Sequence, residues 1–153
     1  MEYFIIKWVH ILSATVLFGT GLGSAFYFFF ANCSKDVAVI AFAARTVVIA
    51  DWLFTTPAVI IQFTSGWLLA DNMGFRLSEP WLVWAIGLYL FAGACWLPVV
   101  RMQIVMRDLA QQALIKQQAL PPAYWRLYRR WVCLGALAFP AVVLVFWLMV
   151  SKP

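Results

Sequence analysis

Four long apolar stretches run through the chain, with polar residues gathered between them. A bilayer core about 30 Å thick needs roughly 20 apolar residues as helix. Segments at about 3–30, 48–70, 80–105 and 125–150 qualify, the second lying within a longer apolar region over 37–70. Residues 106–124 are different. Gln111 to Leu120 is too polar to face lipid, so the third span is expected to continue as helix past the membrane and end in a loop. The punctuation agrees with these limits. Asn32-Cys33-Ser34-Lys35-Asp36 is a short polar turn, and Asp71-Asn72-Met73-Gly74 ends a helix in residues that tolerate the left-handed conformation. Ser78-Glu79-Pro80 reads as a helix start with a capping serine, and Pro121-Pro122 opens the last helix. The pattern predicts a single all-α domain over 1–153, a four-transmembrane-helix bundle.

Composition removes the soluble alternative. The chain of 153 residues is 65% hydrophobic and 11% charged, with nine Trp and thirteen Phe. Too few polar residues remain to cover that surface in water, whereas lipid covers it directly. The net charge of +5 does not point to nucleic acid, because the basic residues follow membrane topology. Lys35, Arg45, Arg101, Arg107, Lys116, Arg126, Arg129 and Arg130 belong to the first and third loops and adjoining helix ends, against Lys7, Arg76 and Lys152 on the other side. Eight against three places both termini on the periplasmic side of a bacterial inner membrane and the 101–130 region in the cytoplasm. Trp67, Trp81, Trp84 and Trp147 would then form an outer aromatic belt, and Trp125 and Trp131 an inner one. The first apolar run has no basic segment before it and is longer than a leader's core, so it is expected to stay as a membrane helix. Cys33, Cys95 and Cys133 form no CxxC motif; Cys95 and Cys133 fall in apolar runs and read as small buried hydrophobes. A glycine-rich phosphate loop, GxSxG and HExxH are all absent from the sequence.

Ionisable and amide side chains at membrane depth are the candidates for function, because an isolated one is costly there. They form two groups. Lys7 and His10 are three apart and share a helix face, which continues through Ala14, Leu17, Gly21 and Ser24; Gln62 of the second span lies at matching depth. His10 is the only histidine. It can be interhelical glue, hydrogen-bonded to Gln62, Thr64 or Ser65, or it can ligate a metal through a neutral imidazole, or it can transfer protons. Lys7 can snorkel to the surface. The second group holds Arg45, Asp51, Arg101 and Gln103. Asp51 and Arg101 reach matching depth in antiparallel spans, so an Asp51–Arg101 ion pair, or failing that Asp51–Arg45, is expected. Gly19 and Gly23 make a GxxxG pair opposite His10, a surface suited to close packing within the bundle or to a homodimer. Pro57, Pro98 and Pro140 put one proline in each remaining span.

Several of these stretches are familiar together. Lys7-Trp8-Val9-His10-Ile11-Leu12-Ser13, the Gly19–Gly23 run, Ala50-Asp51-Trp52, Thr55-Thr56-Pro57-Ala58 with Gln62, Cys95-Trp96-Leu97-Pro98-Val99 and the closing Leu148 to Pro153 resemble a family of small bacterial inner-membrane proteins, domain of unknown function 2269. The resemblance spans nearly the whole chain and implies four helices in the inner membrane, with no established activity. A more distant resemblance is to four-helix membrane protoporphyrinogen oxidases and copper-resistance D proteins, where a first-helix histidine is followed by small residues. It implies haem b with His10, and His10 alone, as the iron ligand; Lys7, Gly21 and Gln62 are the cofactor-binding candidates beside it by their shared face and matching depth. This chain lacks a histidine in its other helices. Two readings follow: a haem-binding or redox-linked membrane protein, or a non-enzymatic accessory subunit or small-solute transport component with His10 as a structural residue. Whether the chain is an enzyme is left open.

Overall fold

The structure, a computed structural model, describes residues 1–152; Pro153, the last residue of the closing motif, lies outside them. Its helices are α1 (Glu2–Cys33), α2 (Val37–Ala50), α3 (Thr56–Asn72), α4 (Pro80–Ile115) and α5 (Pro122–Ser151), with one π-helical turn at Asp51–Thr55 joining α2 to α3. Four helical rods are therefore long and apolar enough to cross a membrane, α2 and α3 counting as one. All described elements are helical.

The turns are built by side-chain chemistry at the helix ends. Asp36 caps α2, its carboxylate accepting from the backbone of Ala38 at 2.8 Å and Val39 at 3.3 Å. At the end of α3, Gly74 takes φ +68, Phe75 N–H bonds to the Ala70 carbonyl and Gly74 N–H to that of Asp71, a left-handed stop that glycine permits without strain. At the start of α4 the capping serine is not found. Glu79 stands at the cap, and its carboxylate accepts from Trp81 Nε1 at 2.8 Å and from the Arg76 backbone at 3.3 Å. Pro80 begins the helix and fixes where the chain turns, which puts Ser78 one residue too early to cap it.

The π turn stands immediately before Pro57. Proline has no N–H to give, and its ring crowds the carbonyl four residues back. The helix widens by one residue there, so that Thr56 N–H reaches the Asp51 carbonyl five residues earlier. The extra residue also turns the Asp51 and Thr55 side chains inward, where both are buried.

Packing is unequal along the bundle. At the end holding the 33–36 and 116–121 turns, here the hairpin end, α1, α2, α4 and α5 share one core of Phe28, Ile40, Ala44, Val47, Met106, Ala110, Tyr124 and Trp131. Small residues on α2 let its neighbours approach closely. Tyr124 is fully buried and donates to Asn32 Oδ1 at 2.7 Å, while Asn32 Nδ2 donates to the Phe28 carbonyl at 2.8 Å. Toward the terminal end the bundle divides into two pairs, α1 on α3 and α4 on α5. The pairs are bridged by large side chains. Tyr89 Oη donates to the Val59 carbonyl at 2.7 Å, Phe18 meets Phe139 and Phe146, and Ala70 packs with Trp81 and Leu82.

Two details of the expected surface change. Trp67, Trp84 and Trp147 face outward, but Trp81 and Trp131 do not belong to an interface belt; both turn into the core, Trp81 against Phe75 and Trp131 against Phe28. Cys95 is buried, while Cys133 is exposed on the outer face of α5.

Candidate functional site

A cavity of about 950 Å³ lies between the two helix pairs and runs most of the length of the bundle. Its walls are overwhelmingly apolar. The stripe through Ala14, Leu17, Gly21 and Ser24 forms part of the α1 wall, so the face carrying His10 is the one turned to the cavity. At the terminal mouth Lys7 and Lys152 line it. Lys7 itself is exposed, with Nζ 5.6 Å from the Tyr3 ring centroid, and Lys152 Nζ sits over Phe75 and Trp81.

His10 sits in the seam between α1 and α3 at the cavity wall. Gln62 Nε2 donates to His10 Nε2 at 3.0 Å, and His10 Nδ1 stands 2.9 Å from Ser65 Oγ. The donor order that serves every atom is a single chain. The Ser13 hydroxyl donates to Gln62 Oε1, the Gln62 amide to His10 Nε2, His10 Nδ1–H to Ser65, and the Ser65 hydroxyl to the Ile61 carbonyl. The ring is held on its third side too, because a Cβ built on Gly66 would lie 3.1 Å from His10 Cε1. Of the partners expected for His10, Gln62 and Ser65 are present. Thr64 bonds back to its own helix at Ile60 and Ile61. Ser13, on the same helix as His10 and bonded also to the His10 carbonyl, is a partner the sequence hardly announces, because hydroxyls in membrane helices usually bond their own backbone. Ser13 lies on α1 three residues from His10, which is the only signal that could have found it.

This geometry bears on haem. Iron takes the lone pair of a neutral imidazole nitrogen. Here Nε2 spends that pair on Gln62, and Nδ1 faces Ser65. An iron could bind only after the α1–α3 link was broken, so the residues present do not fit His10 as an axial ligand.

The intramembrane ion pair is not formed. The described residues contain one salt bridge, Arg107–Asp108 at 2.8 Å, near the hairpin end of α4. Asp51 instead accepts from the Thr55 hydroxyl at 2.8 Å. Depth along a span does not fix the direction in which a side chain points. Gln103 is buried and Arg101 two residues earlier is exposed, as about 100° per residue requires of near-opposite faces. Arg45 likewise points outward from α2. Both guanidinium groups lie toward the hairpin end, where a long side chain reaches the headgroups. Asp51, Tyr27, Trp96 and Gln103 each keep a buried polar atom with no partner: Asp51 Oδ2, Tyr27 Oη, Trp96 Nε1 and Gln103 Oε1.

Gly21 lies on the cavity wall, while Gly19 and Gly23 face away; at none of the three would an added Cβ meet another atom within 4 Å.

These features define a class: a four-helix integral membrane protein, clamped at one end and split at the other around an apolar cavity. The chain belongs to the family described as "Predicted integral membrane protein (DUF2269)", whose profile matches residues 4–153. No curated protein and no solved structure matches it.

Proposed function

We propose that the chain is a non-enzymatic inner-membrane protein that holds an apolar small molecule between its helices, as an accessory subunit or small-solute transport component. The observation that carries this reading is the cavity. Ligand pockets run at roughly 300–1,000 Å³ with mostly apolar walls and a few placed polar groups. At about 950 Å³ between two helix pairs, this one has that character. His10 then serves as the tie between α1 and α3. The orientation favoured by the basic residues puts the hairpin end in the cytoplasm.

Two spectra test this. Protein purified from cells supplied with haem is expected to show no Soret band. It is also expected to bind the apolar fluorophore N-phenyl-1-naphthylamine saturably. A Soret band that disappears in His10→Ala would overturn the proposal in favour of haem.

We also propose that two copies associate through Gly19 and Gly23. An added Cβ at either glycine would meet no other atom within 4 Å, which leaves the GxxxG surface room for close contact between copies. Gly19→Leu should leave the helical content unchanged and convert a dimer to a monomer in nanodisc or detergent sizing. A wild-type chain that is monomeric in both media would rule this out.

A further inference from the structure

The hairpin-end floor of the cavity carries a more specific reading, which rests on the cavity holding a ligand. Asp51 and Gln103 each have 5% exposure, and both line the cavity. The Gln103 amide faces the Asp51 carboxylate, yet Asp51 Oδ2 and Gln103 Oε1 have no partner of normal hydrogen-bond geometry. Arg45 and Arg101 point outward, and among the described residues no side-chain cation lies within ion-pair distance of Asp51. An ionised carboxylate buried without a cation calls for a donor that carries positive charge, and the Gln103 carbonyl oxygen beside it is a second acceptor. A third acceptor is at hand. Thr55 gives its hydroxyl proton to Asp51 Oδ1 and keeps its own lone pairs. Three acceptors suit the three N–H bonds of a primary ammonium. Trp131 lines the same cavity, and indole faces attract organic cations. An inorganic cation would find few oxygens there and an apolar remainder.

We propose that this end of the cavity binds a lipophilic primary amine, with its ammonium on Asp51, Gln103 and Thr55 and its apolar body between the helix pairs. Lys7 and Lys152 at the terminal mouth oppose the reverse placement. Trp96 lies seven residues, about 10 Å of helix, nearer the terminal end than Gln103, and its free Nε1 would serve a hydroxyl or ether oxygen along that body. The acceptors are closed off from water, so the head group has to part Asp51 from Gln103 as it arrives. The approach is lateral from lipid, past Phe18, Phe139 and Phe146, which bridge α1 and α5.

The test is displacement of N-phenyl-1-naphthylamine from the full chain in nanodiscs by dodecylamine, dodecanol and dodecanoate. Dodecylamine should displace the probe at a concentration at least about tenfold lower than dodecanol, as charged hydrogen bonds imply, and dodecanoate should be weakest. Asp51→Asn should bring the amine and alcohol together while the probe still binds. Gln103→Leu keeps the carboxylate and should narrow the preference several-fold, so the test does not hang on one variant folding. Equal potency of amine and alcohol in wild type, or a preference that survives Asp51→Asn, overturns the amine site and leaves the cavity reading standing. Failure of the probe to bind at all overturns both.

Discussion

Phe28→Ala is expected to destabilise the bundle by about 3 kcal/mol. The ring is 1% exposed and lies edge-on to Trp131 at 5.1 Å and to Tyr128 at 6.2 Å. It joins α1 to α5 at the hairpin end, where the helices actually close on one another. In lipid the lost contribution is not the hydrophobic effect, since the tails are as apolar as the side chain; it is packing against neighbours that cannot follow into the gap. That places the value at the low end of roughly 3–5 kcal/mol seen for Phe→Ala in water-soluble cores. Phe26 makes the comparison. It is 64% exposed to lipid, and Phe26→Ala should change stability by less than about 0.5 kcal/mol. Unfolding in SDS mixed micelles or by steric trapping measures both. Equal losses for the two variants would mean that the hairpin-end core is not what holds the helix pairs together.

The helical rods were legible because lipid demands so little of a sequence: enough apolar residues in a row, with Pro, Gly or Asp where each rod starts and stops. Where a span faces inward was much harder to read. In a soluble helix the polar side marks the outside, but here both sides are apolar and the periodic signal fades. Asp51 and Arg101 show the consequence. Their depths could be counted from the interfaces, but their directions could not, and two residues' difference on α4 sets Gln103 inside and Arg101 outside. The π turn compounds this by rotating α3 against α2 just where Asp51 sits. Pro57 announced a disturbance, yet not which of kink or widened turn would relieve it. Trp81 and Trp131 were misplaced for the same reason, since an indole near a helix end suits either an interface or a core. His10 was the easier case. A lone histidine three residues from Lys7, at the depth of Gln62 and Ser65, had few partners to choose from. The cavity itself had no signature, because it depends on two helix pairs standing apart and not on any one of them.

His10→Ala and Gly66→Ala are expected to behave non-additively, and the sign of that coupling separates a tie between helices from a vacant ligand position. His10→Ala removes the bonds to Gln62 and Ser65 across the α1–α3 seam. Hydrogen bonds between membrane helices average about 0.6 kcal/mol, and the stranded Gln62 amide adds to that, so a loss of about 1–3 kcal/mol is expected. Gly66→Ala acts on the same ring from the other side. Its Cβ would stand 3.1 Å from His10 Cε1, and an imidazole clamped at both nitrogens has no free direction in which to yield. The overpacking should cost about 1–3 kcal/mol. With the ring gone, the new methyl enters the space it left, so Gly66→Ala in the His10→Ala background should cost close to nothing. The double variant is then no worse than His10→Ala alone, a coupling of about 1–3 kcal/mol between residues in contact. Additive losses in the same unfolding measurement would show that His10 is free to move off Gly66. A ring that moves freely could release Nε2 from Gln62, and coordination by His10 would have to be considered again. The tie predicts the opposite: the ring holds its place because four hydrogen-bonding residues, Ser13, Gln62, His10 and Ser65, form one unbroken chain between α1 and α3, and a ligand drawn to the cavity passes it by.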